Sequence, residues 1–211
     1  MFNSPQQIEE IKEHLQQINH MFHKINGYVN LDIFSFEQLN KHQLGYSVDL
    51  EGNSLITDEE GSWKRSWVVI AHDTLCGDPI IVDLNEEGYP VSILMHGLGS
   101  WGAGSFLSNS MSSFANSLIE VTNFLDKKDK KIIGKKDLEA MLNKIVVDSN
   151  GYADYDTWES LLNPLFEFIV DNENTRKHKV RNMKKEGKKI REISSYLDIS
   201  SKDVYDYLKQ E

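Results

Sequence analysis

Three short apolar runs, each ended by turn residues, constrain the fold of this chain more than any other feature. They are Trp67–Ala71, Pro79–Leu84 and Val91–His96, and they are rich in β-branched residues. They recur about every 12 residues with glycine-containing turns between them, which is typical of consecutive β-strands. Connections of this length are too short for helical crossovers between parallel strands. The sequence therefore predicts an antiparallel meander.

Helical patterns precede and follow these runs. At the start, one face of a helix is predicted by apolar residues at alternating steps of three and four. Ser4 suits its N-cap, Pro5 its first position and Gln7 a capping box, while Asn26-Gly27 ends it. We interpret the stripe as core packing, with a partner-helix surface as the alternative. Its members are Ile8, Ile11, Leu15, Ile18, Phe22 and Ile25.

The prediction is therefore an α+β fold, with an antiparallel twisted sheet flanked by helices in residues 1–126. A short strand near Asp32–Phe36 would join the sheet, and a helix capped by Ser110 would follow it. Asp126–Lys136 is a charge-rich linker. Beyond it, in residues 127–211, apolar stripes predict an all-α appendage, with one helix restarting at Asn163-Pro164.

Charge is distributed unevenly along the chain. The formal net charge is −10, and residues 1–175 carry 12 basic against 27 acidic side chains. Residues 176–211 carry 11 basic and 6 acidic side chains. An acidic body repels nucleic acids and membranes and attracts basic partners. The alternative is that the surplus carboxylates only keep the protein soluble.

Composition restricts the compartment and the covalent chemistry. Cys76 is the only cysteine, which excludes an intrachain disulfide and a zinc site made of several cysteines. No apolar run approaches the roughly 20 residues that cross a bilayer. The first ten residues do not resemble a secretory signal. We expect a cytoplasmic protein that binds neither membranes nor a cofactor.

One passage, from Trp67 to Leu118, carries a family pattern. A tryptophan opens a strand, a Gly-Asp turn leads into a strand with an acidic residue, and Pro-Val begins the next strand. A His/Gly/Trp segment and a Ser-x-x-x-Phe helix follow. These elements are Trp67, Gly77-Asp78, Asp83, Pro90-Val91, His96-Gly97 with Trp101, and Ser110 with Phe114.

In their order and spacing these residues resemble the SUKH superfamily, of the Smi/Knr cell-wall-synthesis-regulator type. The resemblance covers roughly residues 1–125, and the looser segment at 101–109 departs from it. It implies a binding protein. Bacterial members are commonly immunity proteins that neutralise toxins, many of them nucleases or deaminases, and fungal members are scaffolds in cell-wall signalling.

The predicted function is therefore protein binding without catalysis, with a toxin, for example a basic nuclease, or a signalling protein as partner. The alternative for the same residues is a mainly architectural role. The hypothetical contact residues are Asp58, Glu59, Glu60, Trp67, Gly77, Asp78, Asp83, Glu86, Glu87, His96 and Trp101.

The last forty residues, about 171–211, resemble a helix-turn-helix. Two apolar stripes flank a turn at Ile199-Ser200, as in that motif. This predicts an alternative function as a DNA-binding regulator. Asp203, Asp206 and Glu211 in the second helix count against it, because DNA repels carboxylates. The candidate phosphate contacts are Arg176, Lys177, Lys179, Arg181, Lys184, Lys185, Lys188, Lys189 and Lys202.

Asp148–Glu159 is similar to an EF-hand calcium loop, with oxygen-bearing side chains at positions one, three, nine and twelve. Tyr152 replaces a ligand at position five, and Ala153 replaces the glycine of the sharp turn. We therefore expect an ordinary helix–loop–helix and no metal.

Catalytic readings have weaker support. Gly97-x-Gly99-x-x-Gly102 matches a dinucleotide fingerprint by letter but lacks a βαβ unit. Cys76 with His72 is conceivable as a nucleophile and base. His72, Asp73, Asp78 and His96 could gather a metal, although their spacing does not force them together. No reaction class emerges, and we predict that the protein is not an enzyme.

Overall fold

The computed structural model describes residues 4–97, 100–101, 104–128 and 133–209. The fold is α+β, as predicted: a five-stranded antiparallel sheet of order β1-β2-β3-β4-β5 is flanked by helices and followed by helices. The strands are β1 (Leu31–Ile33), β2 (Trp67–Asp73), β3 (Pro79–Asp83), β4 (Val91–Leu94) and β5 (Gly104–Ser108). The helices are α1 (Pro5–Ile25), α2 (Leu39–His42), α3 (Met111–Lys128), α4 (Lys135–Asp148), α5 (Tyr155–Leu161), α6 (Asn163–Lys185), α7 (Ile190–Leu197) and α8 (Ser201–Lys209).

Helix α1 begins and ends where its sequence signals predict. The Ser4 hydroxyl accepts a hydrogen bond from the Gln7 backbone N–H, and Asn26 is the C-cap. All members of the predicted stripe from Ile11 to Ile25 are buried, whereas Ile8 is partly exposed. The stripe is thus core packing, because α1 shares the main apolar core with α3 and the strands. None of the described helices is long and apolar enough to span a membrane.

The predicted meander is confirmed for β2, β3 and β4, which pair antiparallel with neighbours in sequence. The first strand is shorter than predicted: β1 ends at Ile33, and a 3₁₀ turn begins at Phe36. Its Leu31 pairs with Asp73 of β2.

The sequence did not predict β5, which pairs with β4 through registers such as Ser92 with Phe106. Gly104 and Ser105 have low strand propensity, so pairing with β4 and not local preference makes this segment a strand. Gly104 lies so close to β4 that a Cβ there would collide with the Ile93 carbonyl oxygen. The glycine that made the segment look loose therefore allows the close approach.

Cross-strand pairs define the two faces of the sheet, because directly paired residues point the same way. On the inner face, Val68 pairs with Val82, which pairs with Val91, and all three are fully buried. On the outer face, Trp67 pairs with Asp83, and Ile81 pairs with Ser92.

The side chain of Gln43, only 1% exposed, completes the edge of β2 where β1 ends. Its Oε1 accepts from the Val69 N–H at 3.0 Å, and its Nε2 donates to the Val69 carbonyl at 2.9 Å. Nε2 also donates to the Leu39 carbonyl of α2. One amide therefore replaces a strand neighbour at the point where the β2–β3 register shifts between Val69 and Ala71.

The main apolar core does not divide at residue 126. Leu138, Leu142 and Leu165 belong to the same buried cluster as the sheet and α1. Trp158 of α5 donates from Nε1 to the Leu107 carbonyl of β5 at 2.9 Å. Ile169 of α6 is the last member of this core along the chain. The division into domains stays a prediction, but α4, α5 and the first two turns of α6 share this core with the sheet.

A second, smaller core holds the end of the chain together. Val180 of α6, Ile193 of α7 and Val204 of α8 are fully buried in it. Helix α7 ends at Leu197, its C-cap Asp198 has a left-handed φ of 52°, and α8 begins at Ser201. The two predicted helices and their short turn are therefore present, with α6 as the third helix.

We predict that Gln43→Ala lowers the free energy of unfolding by about 2–6 kcal/mol. Two buried backbone groups of Val69 lose their partner, at about 1–3 kcal/mol each. Urea denaturation measures the change. Gln17→Ala, at an exposed position of α1, is the matched control and should stay within about 0.5 kcal/mol of the unchanged chain. Equal stability of the two variants would contradict this role for Gln43.

Candidate functional site

An aromatic cluster, comprising Tyr46, Trp63, Trp67 and Trp101, covers part of the outer face of the sheet. Its ring centroids are 5.1–5.6 Å apart, and the Trp63 ring meets the Trp67 and Trp101 rings edge-on. Trp63 is 1% exposed and donates from Nε1 to the Trp67 carbonyl at 3.2 Å. Trp67 and Trp101 are only partly buried, so the cluster has a buried centre and a solvent-facing side.

Beside this cluster lies the outer groove, an open depression of about 380 Å³ over β3, β4 and β5. Phe106 of β5 and Tyr152 of the α4–α5 loop are 46% and 43% exposed, and their rings are 4.5 Å apart. Large exposed aromatic side chains next to one another are typical of binding surfaces. The apolar lining is Trp67, Ile81, Pro90, Leu94, Trp101, Phe106 and Tyr152.

Two of the three charged residues that line the outer groove are acidic. Asp83 and Glu86 line it together with Lys64, whose ammonium group lies 4.9 Å from the centre of the Trp67 ring. Trp67 donates from Nε1 to Asp83 Oδ2 at 3.0 Å, and Asn85 donates its N–H to Asp83 Oδ1. Asp83 therefore orients the tryptophan ring that forms the wall of the groove.

Four of the predicted contact residues meet in the outer groove: Trp67, Asp83, Glu86 and Trp101. Glu87 is exposed in the same β3–β4 turn but does not line it. Sequence reasoning missed Phe106 and Tyr152. Phe106 belongs to the unpredicted strand, and Tyr152 had been considered only as a departure from a calcium loop.

The exposed acidic turn Asp58–Glu60 lies just before the segment that leads into β2. The Trp101 N–H donates to the Gly61 carbonyl at 2.7 Å, which ties this turn to the aromatic cluster. The predicted acidic stretch and the outer groove are thus connected through Trp101.

A second group of predicted residues lies where β3 begins and β4 has ended. Asp78 accepts hydrogen bonds through Oδ1 from the His96 N–H at 2.9 Å and contacts His96 Nδ1. Gly77 precedes it in an exposed turn with a φ of 77°, which favours glycine. Asp78 and His96 do not line the outer groove. Their contacts hold two chain segments together.

Two histidines pack beside the aromatic cluster. His72 Nε2 is 3.1 Å from the Tyr46 hydroxyl, and the His42 ring stacks on Phe34 at 3.5 Å. Burial lowers the pKa of both imidazoles below 6.5, and the proximity of His42 lowers the pKa of His72 further. The neutral rings are therefore the forms that suit the folded state.

The alternative chemical readings find little geometric support. Desolvation, with the carboxylates of Asp73 and Asp78, raises the pKa of the Cys76 thiol, which makes it a poorer nucleophile at neutral pH. His72 contacts Tyr46. Over residues 4–97, 100–101, 104–128 and 133–209, the one group close enough to share a metal is Asp73, Cys76 and Asp78. The glycine-rich motif falls partly outside the described residues, at Gly99 and Gly102.

The loop that resembles an EF-hand is used structurally. Asp154 caps α5 by accepting from the Thr157 N–H at 2.8 Å. The Asp154 N–H donates to the Phe106 carbonyl at 2.9 Å, which docks the loop on β5. Tyr152 consequently reaches Phe106 in the outer groove.

The basic residues of the tail divide into two groups. Arg176 donates to the Ile133 carbonyl, and Lys177 pairs with Glu173 at 2.9 Å while its ammonium group lies 5.8 Å from the Tyr207 ring centre. These two predicted phosphate contacts are therefore engaged within the protein, and Arg181 is half-buried. The remaining candidates are exposed: Lys179, Lys184, Lys185, Lys188, Lys189 and Lys202.

Comparison with known proteins adds no relative. No protein-family model, curated protein or solved structure matches this chain.

We predict that the free energy of unfolding falls as the pH is lowered below about 6.5. Below that pH the unfolded chain binds more protons on His42 and His72 than the folded protein does, because folding lowers both pKa values. The stabilisation by the two neutral imidazoles is therefore complete above that pH and decreases below it. Urea denaturation at several pH values from about 7.5 down to about 5 measures the free energy of unfolding. His72→Gln should flatten the dependence, and His23→Gln, at an exposed position of α1, is the matched control. An equal effect of both substitutions would contradict the assignment.

Proposed function

We propose that this chain is a protein-binding module whose outer groove receives a basic protein, most simply a toxin that it neutralises. The observation that carries the proposal is the exposed Phe106–Tyr152 pair beside the carboxylates of Asp83 and Glu86. Aromatic anchors supply most of the binding energy at protein interfaces, and surrounding charges select the partner.

Charge complementarity supports a basic partner. Between Asp32 and Phe124, the part that contains the sheet, the chain has 3 basic and 13 acidic side chains. Asp58, Glu59, Glu60, Glu86 and Glu87 are all exposed there. Such a surface accelerates association with a positively charged protein by about 10- to 1,000-fold at low salt. A nuclease that binds nucleic acid carries that charge.

The resemblance to the SUKH superfamily supports the same proposal, because it implies immunity proteins among bacterial members. A cell-wall-related scaffold or regulator would use the same surface for a different partner. A non-catalytic role also suits Asp83, whose two oxygens already accept from Trp67 and Asn85. A carboxylate held in this way orients a neighbour and is poorly placed to transfer protons to a substrate.

The groove is tested by Phe106→Ala/Tyr152→Ala. Immobilised chain captures partners from the native host, and a captured toxin is co-expressed with the chain to measure rescue of growth. We expect the double variant to lose capture and rescue, because truncating a central aromatic anchor costs about 2 kcal/mol or more. Val147→Ala/Tyr196→Ala removes two exposed apolar side chains elsewhere and should retain both.

Two results would contradict the proposal. Rescue by the groove variant at the level of the unchanged chain would exclude the outer groove as the interface. Capture of no toxin or signalling protein by a correctly folded chain would remove the function itself.

With the purified partner, we expect the association rate to fall steeply as ionic strength rises, because salt screens exposed charges. Glu86→Gln/Glu87→Gln should slow association and weaken its salt dependence while changing dissociation little. Glu9→Gln/Glu13→Gln, at exposed sites of α1, is the control with equal charge change. Stopped-flow or surface plasmon resonance measures both rates. An association rate that does not depend on salt would contradict the electrostatic part of the proposal, and only the hydrophobic part would remain.

A further inference from the structure

The C-terminal end of the chain has the geometry of a helix-turn-helix held by its own core. Helices α7 and α8 are joined by residues 198–200 and share the apolar cluster with Val180 of α6. The turn is fixed at both ends. The left-handed Asp198 ends α7, and the Ser194 hydroxyl donates to the Ile199 carbonyl. Such a turn sets a second helix against a first so that one of its faces remains free.

The free face of α8 is defined by burial. Val204 and Tyr207 point into the small core, whereas Lys202, Tyr205 and Lys209 are exposed at spacings of three and four residues. These exposed residues therefore share one helical face. Lys209 lies 4.6 Å from the centre of the Tyr205 ring, which keeps its ammonium group on that face.

Asp203, which counted against DNA binding in the sequence, is not a free carboxylate of this face. Its N–H donates to the Ser200 hydroxyl at 3.0 Å, and its Oδ2 accepts from the Ser200 N–H and hydroxyl. It belongs to the cap that begins α8. Within α8, Asp206 is the remaining exposed acidic residue, and Glu211 lies outside the described residues.

Further positive charge precedes the motif. Lys184, Lys185, Lys188 and Lys189 are exposed where α6 ends and α7 begins. Residues 176–211 have 11 basic and 6 acidic side chains in a chain whose net charge is −10. A positive surface on an acidic protein requires local enrichment in basic residues. Here the enriched segment coincides with the helix-turn-helix.

We propose that this C-terminal unit binds duplex DNA, with the Lys202–Tyr205–Lys209 face of α8 in the major groove and the lysines before α7 on phosphates. The major groove is about 12 Å wide and admits one α-helix. In helix-turn-helix proteins the second helix enters it, and the first crosses the backbone. The site is separate from the outer groove, since the two share no residue.

Fluorescence anisotropy of the full chain with a labelled random-sequence duplex tests the proposal at several salt concentrations. Lys188→Gln/Lys189→Gln/Lys202→Gln removes three exposed charges of the unit. A plot of log affinity against log salt concentration has a negative slope, and each phosphate contact contributes about 1 to its magnitude. The magnitude of the slope should therefore decrease by up to about 3. Lys24→Gln/Lys41→Gln/Lys136→Gln makes the same charge change at exposed positions elsewhere and should leave the slope unchanged.

The orientation of α8 is tested by Asp206→Asn, which removes a like charge from the face assigned to the groove. We expect severalfold tighter duplex binding. Asp171→Asn, at an exposed site of α6, should have no effect. The proposal is overturned if the duplex does not bind at about 10⁻⁴ M or below at physiological salt, if the two lysine variants behave alike, or if single-stranded DNA or RNA binds more tightly than the duplex.

Discussion

The arrangement of the outer face depends on the double hydrogen bond between Gln43 and Val69. Strand β2 carries Trp67 and His72 outward on either side of Val69, but β1 pairs with it only from Ala71 to Asp73. Without another partner, the Val69 N–H and carbonyl would be buried and unpaired, which costs more than a hydrogen bond gains. The Gln43 amide satisfies both, and it brings α2 and the following segment over the sheet.

Helix α2 and the segment after it cover the outer face of the sheet incompletely, and the outer groove is the part of that face left uncovered. The inner face is closed along β2, β3 and β4, where Val68, Val82 and Val91 are fully buried in the core shared with α1 and α3. On the outer face, the Trp63 ring packs edge-on against the rings of Trp67 and Trp101. Phe106 lies past this cover and stays exposed. An exposed ring of this size on a sheet loses hydrophobic free energy unless a partner covers it.

The sequence predicted those strands and helix ends that are determined by residues close together in the chain. Runs of β-branched residues marked β2 to β4, and the Ser4 cap marked the start of α1. What they missed depends on contacts distant in sequence. Strand β5 forms because it pairs with β4. Tyr152 reaches the outer groove because the Asp154 N–H donates a hydrogen bond to a carbonyl of β5. Likewise, the sequence counted Asp203 as a repulsive charge, whereas its bonds to Ser200 assign it to a helix cap.

One long helix links surfaces of opposite charge. Helix α6 contributes Leu165 and Ile169 to the main core and Val180 to the small one, and between them Arg176 and Lys177 bond within the protein. With Arg176 and Lys177 bonded in this way, the predicted phosphate contacts that stay exposed all lie after residue 178. In the two proposals, the sheet attracts a basic protein and the tail attracts duplex DNA. Because both attractions weaken with salt, only substitutions confined to one surface distinguish them.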